Sequence, residues 1–120
     1  MDDDGRMVFR LRVYRVSAGM AERFDSFFLE RLLPVQRRHG ARLVGRWRNE
    51  TGDEVTAIWA YGDRAEYERI SAAVREDPQM TDAARLRAEL GALYDEVRES
   101  FLVSTVPLDQ TELGHLEDGA

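Results

Sequence analysis

The sequence predicts a single α+β domain of the order β-α-β-β-α-(α)-β, with a four-stranded antiparallel sheet and helices on one of its faces. Three observations predict it. Residues 7–16 and 54–61 alternate side chains with the period of a strand. Residues 20–32 and 67–74 carry apolar side chains at the spacing of an amphipathic helix. A length of 120 residues without a cysteine suits one core held by packing alone.

In the first strand Met7, Phe9, Leu11 and Val13 share one side, and Arg10, Arg12 and Tyr14 share the other. Ser17-Ala-Gly19 breaks that strand, and Gly19, with Glu22 three residues on, is expected to cap the first helix. Met20, Phe24, Phe27, Phe28 and Leu32 form the apolar stripe of the helix. Pro34 kinks or restarts it, and His39-Gly40 ends it. Ala41 to Arg48 reads as the second strand and Asn49-Glu-Thr-Gly-Asp53 as a turn. Glu54 to Tyr61 is the third strand, with Val55, Ala57, Trp59 and Tyr61 on one face. Asp63-Arg-Ala-Glu66 reads as a capping box opening a helix whose stripe is Tyr67, Ile70 and Val74. Asp77-Pro78 interrupts that helix. A third helix is expected from Thr81, with Leu86, Leu90, Leu93 and Val97 inward, and a fourth strand over Phe101 to Val106, closed by Pro107.

Helices on one face leave the other face bare. It carries either Phe9, Leu11 and Val13 or the Arg12 and Tyr14 set. Apolar residues on an open sheet call for a cover, so a homodimer through the sheets is expected.

Composition narrows the function classes. The net charge of −6 is concentrated at the ends: residues 1–5 hold three acids and residues 107–120 four, with no arginine in either stretch. The body between them is one positive charge from neutral. The expected organisation is an acidic, disordered tail over residues 1–6, a domain over 7–107 and a mobile acidic tail over 108–120. No apolar run approaches the length of a membrane span. Met1-Asp-Asp-Asp-Gly5 is the reverse of a basic signal-peptide start, and the lack of cysteine fits a reducing cytoplasm.

Four segments carry a resemblance. Leu11-Arg-Val-Tyr-Arg-Val-Ser-Ala-Gly19 resembles the first strand and glycine of NIPSNAP-like proteins. His39-Gly-Ala-Arg-Leu-Val-Gly-Arg-Trp47 is similar to their helix end and second strand. Trp59-Ala-Tyr-Gly-Asp63 resembles their third strand and helix start, and Glu76-Asp-Pro78 their acidic-proline break. The resemblance runs in order from about residue 8 to 107. It implies a ferredoxin-like dimeric α/β-barrel, two sheets facing each other across a twofold axis. The wider superfamily includes cofactor-independent monooxygenases, haem-degrading enzymes, decarboxylases, cyclases and isomerases, which commonly hold substrate between sheet and helices. By that analogy Arg12, Tyr14, Trp59 and Tyr61 face the cleft. The sequence departs from the family where an aromatic residue often follows the acidic-proline break; Gln79-Met80 stands there.

The candidate catalytic residues are Arg12, Tyr14 and His39. Arg12 and Tyr14, two apart on a strand, share a face, and a guanidinium beside a phenol suits a carboxylate, enolate or phenolate. The plainer reading is an arginine paired to a carboxylate with the tyrosine as packing. His39, at a helix end, is an acid or base if it points into the cleft; the plainer reading is a helix cap. Trp59, Tyr61 and Trp47 are the candidate substrate-binding residues, since flat rings suit an aromatic ligand or the wall of a dry cavity. The plainer reading of Trp59 and Tyr61 is core, while Trp47 is ambiguous because its strand is expected at a sheet edge.

No metal or haem site is expected: the histidines, His39 and His115, lie 76 positions apart, there is no cysteine, and residues 64–99 hold no histidine to serve as an axial ligand. Arg42, Arg46 and Arg48 read as a basic row on the second strand. The acidic ends and the lack of interleaved aromatic residues argue against nucleic acid as a partner. The expectation is a homodimer that binds a small organic molecule and acts without a cofactor on an aromatic or polyketide-like metabolite, as a monooxygenase, cyclase or isomerase. The alternative is a non-catalytic binding or assembly module.

Overall fold

The computed structural model describes residues 6–107. Expectations for the acidic ends, and for His115 within one of them, lie outside the described residues. Strand β1 spans Val8–Val16, β2 Arg42–Arg48, β3 Glu54–Tyr61 and β4 Tyr94–Leu102. They form one sheet in the order β2-β3-β1-β4, every neighbouring pair antiparallel. Helices α1 (Ala21–Phe27), α2 (Leu33–Arg38), α3 (Arg64–Glu76) and α4 (Pro78–Leu90) cover one face. This is the ferredoxin-like α+β arrangement the sequence predicts.

The face left open by the alternation in β1 is now decided. Arg10, Arg12 and Tyr14 point at the helices, where they line a cavity. Phe9 packs on the open side with Ala60, Met7, Val44 and Ile58. Cross-strand partners share a face. The register Phe9–Ala60 and Leu11–Ile58 therefore continues one apolar strip across β1 and β3. On the covered side Val55, Ala57, Trp59 and Tyr61 of β3 are all buried, as the alternation predicts.

The first helical segment shows what Pro34 does. The ladder widens to a π-helical stretch over Phe28–Leu32, in which the Leu33 N–H reaches back to Phe28 O. Proline has no N–H, and its ring crowds the carbonyl four residues back. The wider turn takes up that crowding, and Pro34 then sits in the first turn of α2. The expected Gly19 cap is not formed. Met20 occupies the cap position with no side-chain bond, and Gly19 lies in the turn before it at φ 76°. Asp63 does cap α3: its Oδ1 accepts from the Glu66 N–H at 2.7 Å. The Glu66 carboxylate accepts in return from the Gly62 N–H at 2.6 Å.

Two further expectations are corrected. The third helix does not run through Leu93 and Val97. It ends at Leu90, Gly91 turns the chain at φ 91°, and the fourth strand is Tyr94–Leu102 rather than Phe101–Val106. Leu86 and Leu90 do face the core from this helix, as expected; only Leu93 and Val97 lie beyond its end. Leu93 is instead fully buried in the connection, where its carbonyl accepts from the Ser17 N–H. The arginine row on β2 is also split. A register irregularity between Leu43 and Gly45 inserts a residue. Arg42 therefore pairs with Ala60 on the open face, while Arg46 pairs with Ala57 on the covered one.

The strand assignment is testable. Leu93→Ala removes a fully buried side chain and is expected to cost about 2–5 kcal/mol, whereas Val97→Ala on the exposed edge strand is expected to cost less than about 1 kcal/mol. Urea unfolding of the two variants checks this; equal large losses would favour a continuous helix.

Candidate functional site

Between the sheet and the helices lies a cavity of about 450 Å³. Its floor is made by Arg10, Arg12 and Tyr14 of β1 with Trp59 and Tyr61 of β3. The helical layer supplies Phe24, Phe28 and Gln36 on one side and Tyr67 and Ser71 of α3 on another. Four of the six expected site residues are thus brought together: Arg12, Tyr14, Trp59 and Tyr61.

The polar centre of the floor is built on β1 and its neighbour β4. Arg12 Nε donates to Tyr14 Oη at 3.0 Å, and Arg12 Nη1 donates to Glu99 Oε1 at 2.6 Å. Arg10 Nε donates to the same Glu99 oxygen at 2.7 Å. Two guanidinium groups therefore converge on one carboxylate. The pairing register explains it, since Glu99 lies directly across from Arg12 on the covered face. Burial disfavours the charge on Arg12, yet Tyr14 and Glu99 outweigh it and hold its pKa above the ordinary arginine value. Burial likewise works against Glu99, but the hydrogen bonds from Arg12 and Arg10 prevail and lower its pKa. Burial pushes the Tyr61 phenol up, with Arg10 pulling the other way, so Tyr61 is a neutral hydroxyl at physiological pH.

The rings are organised around this centre. Tyr14 meets Phe24 and Tyr94 edge-on, with ring centroids 5.1 and 4.9 Å apart. Trp59 lies against Phe28 at 6.0 Å, and Tyr61 meets Tyr67 edge-on at 5.1 Å. Behind the wall, Arg46 places its guanidinium 4.8 Å from the Phe24 ring and 4.5 Å from the Phe28 ring. Its Nη1 donates to Asp25 Oδ1 at 2.7 Å, while Nε and Nη2 are buried without a hydrogen-bond partner. Arg46 thus holds the two cavity phenylalanines through their π faces.

The remaining two expected residues lie elsewhere. His39 does not line the cavity; its Nε2 is 2.7 Å from Asp77 Oδ2, which also accepts from Arg38 Nη2 at 2.5 Å. Asp77 caps α4 as well, accepting from the Gln79 N–H at 2.8 Å. His39 occupies the C-cap position of α2, and its side chain ties that helix end to the α3–α4 joint. Trp47 projects from the edge strand β2 on the open face, pairing there with Thr56, and is 52% exposed. Its ring lies over Gly45, where a Cβ would collide with it.

Glu99 and Tyr67 were not singled out by the sequence. Glu99 falls in a segment whose spacing suggests helix, and Tyr67 reads as one member of a helical stripe. The Arg-x-Arg-x-Tyr alternation of residues 10–14 was the available signal for Arg10. Among the described residues no group of three or more His, Cys, Asp or Glu side chains is arranged to hold a metal ion. No helix among them is long and apolar enough to cross a membrane.

The sequence matches the NIPSNAP family model over residues 9–107. The chain belongs to the NIPSNAP family. An uncharacterized NIPSNAP domain protein from Burkholderia xenovorans is similar to it at 24% identity, over 85% of this chain and 99% of that one, with a TM-score of 0.72. A NIPSNAP family protein from Agrobacterium tumefaciens gives 20% identity over 88% and 96% of the two chains, with a TM-score of 0.73. Outside the family, SnoaB from Streptomyces nogalater, described as a cofactor-independent oxygenase, matches at 17% identity over 86% and 97%, with a TM-score of 0.62. These likenesses establish the fold. No curated protein matches.

In this NIPSNAP chain the Asp77 cluster predicts an acid limb of stability. Hydrogen bonds from Arg38, then His39 and the Gln79 amide, hold the Asp77 carboxyl well below the ordinary carboxylate range. A lowered native pKa adds stability that is present above the unfolded value and lost as pH falls towards the native one. Asp77→Asn is therefore expected to be less stable than wild type at pH 7, with the gap closing as the pH drops below about 4. Thermal melts between pH 7 and pH 2 check it; a gap that stays constant would show that Asp77 acts by shape alone.

Proposed function

We propose that the chain is a homodimeric small-molecule-binding protein whose cavity performs cofactor-independent chemistry on an aromatic or polyketide-like metabolite, of the monooxygenase, cyclase or isomerase type. The observation that carries this reading is the ring-walled cavity with Arg12 and Tyr14 on its floor, Arg12 held from outside the lining by Glu99. A packed structural core would leave no such space.

Each floor residue then has a chemical task. Arg12 orients the substrate and stabilises negative charge as an enolate or phenolate develops. The Tyr14 oxygen already accepts from Arg12 Nε, so its O–H is free to donate to a bound oxygen. Trp59 and Tyr61 keep water out of the reacting volume. His39, held on Asp77 outside the cavity, has no part in this reading. A substrate that supplies its own reactivity needs few protein groups beyond these. SnoaB's description as a cofactor-independent oxygenase supports the reading, because the same fold there carries that chemistry.

The dimer follows from the open face. Phe9, Leu11, Val13, Val44 and Ile58 form its apolar strip, and a second copy turned about a twofold axis would cover it. The non-catalytic alternative has one observation in its favour: Arg10 and Arg12 are already neutralised in part by Glu99, as a structural ion pair would be.

Native mass spectrometry tests the proposal. The expected spectrum is a dimer carrying a co-purified small molecule. Leu11→Arg is expected to shift it to monomer. Arg12→Ala is expected to empty the cavity while the melting temperature moves by only a few degrees. A wild-type monomer, or ligand retained by Arg12→Ala, would overturn the reading; a dimer with stability and occupancy lost together would favour the non-catalytic module.

A further inference from the structure

We propose that the ligand of this cavity is an aromatic acid, a planar ring system bearing a carboxylate or similar oxyanion. This inference rests on the proposed small-molecule reading and names the class of molecule it takes.

Charge balance carries the argument. Four arginines line the cavity, Arg10, Arg12, Arg75 and Arg87, and no aspartate or glutamate lines it. Glu99, reaching from β4 to Arg10 and Arg12, offsets one of these charges. Arg75 donates to Ser71 Oγ at 2.9 Å, and Arg87 lies 4.6 Å over the Tyr94 ring. Neither meets a carboxylate among the described residues. Several arginines elsewhere do meet carboxylates: Arg15 pairs with Asp95, Arg38 with Asp77 and Arg98 with Glu54, while Arg46 and Arg48 share Asp25. A body one positive charge from neutral thus turns a local excess of positive charge into this ring-walled hollow. Low-dielectric walls concentrate that field and draw in anions.

The arrangement also has a direction. Arg10 and Arg12 are mostly buried on the sheet floor, whereas Arg75 of α3 and Arg87 of α4 are exposed on the helix side. The exposed pair draws the anion in. The floor pair holds it, its guanidinium donors turning from Glu99 to the incoming carboxylate. The rings of Trp59, Phe28, Tyr14 and Tyr67 line the same space, which suits a flat ring system rather than a bare inorganic ion. A volume of about 450 Å³ accommodates two or three fused rings.

Calorimetric titration of the intact chain with three probes tests this: 2-naphthoate, its uncharged counterpart 2-naphthamide, and inorganic phosphate. The naphthoate is expected to bind at least about tenfold more tightly than the amide, and phosphate not to bind at the same concentrations. Arg87→Gln, at an exposed position, is expected to weaken naphthoate several-fold, by about three to ten, and leave the amide unmoved. Glu99→Gln, which frees the floor pair, is expected to tighten naphthoate. Equal binding of naphthoate and amide, or an equal effect of Arg87→Gln on both, overturns the acid class while the cavity reading stands. Phosphate binding as tightly as naphthoate overturns the aromatic part. Binding of neither aromatic probe overturns this inference and the cavity reading together.

Discussion

A central strand that turns two arginines toward the helix layer constrains everything built above it. β1 lies between β3 and β4, so Arg10 and Arg12 cannot escape to a sheet edge. A guanidinium under a lid of helices must find a counter-charge or keep contact with water. The fold does both. β4 delivers Glu99 opposite Arg12 by register, and the helices stand off to leave a cavity in place of a closed core. The rings of Tyr14 and Tyr67 then face the guanidinium groups, with Arg10 5.5 Å from the Tyr67 ring and Arg12 5.3 Å from that of Tyr14. Aromatic walls are the cheapest partners for cations that the backbone has fixed in place.

The helix layer is shaped to the same end. The π-helical stretch ahead of Pro34 carries Phe28 to the cavity wall, and Arg46 braces Phe28 and Phe24 from behind. The Asp77 cluster fixes α2 against the joint of α3 and α4, from which Met80, Ala84 and Arg87 reach the cavity. The apolar packing divides accordingly. One cluster gathers around Trp59, Tyr61 and Ile70, the other around Phe24, Val55 and Leu93, and Leu32 and Met80 touch both. A cavity can persist there because each side has its own well-packed support.

The legibility of the chain followed the strength of each local signal. The alternation of β3 and the Asp63 cap rest on residue type and spacing, which any neighbourhood leaves intact. β4 carries a weak strand signal because Tyr94–Leu102 lies on a sheet edge, mostly exposed, where acidic side chains are tolerated and the apolar period is diluted. Gly91 was the punctuation that separated it from α4. The split of Arg42 from Arg46 was invisible for a different reason. An inserted residue in one strand inverts the faces beyond it, and only the partner strand reveals it. The chemistry of Trp47 and His39 suits a site, but direction is a property of the packed chain, and neither lines the cavity.

By itself the sequence determined the order of elements, the family and the pairing of Arg12 with Tyr14 and Trp59 with Tyr61 on strand faces, because these depend on periodicity and on residues close in the chain. The tertiary structure alone decided which face of the sheet the helices cover, that Glu99 meets Arg10 and Arg12, and that cations from β1, α3 and α4 converge on one hollow. Those contacts join residues up to 89 positions apart. Their geometry is set by register and helix packing, which no local stretch of residues encodes.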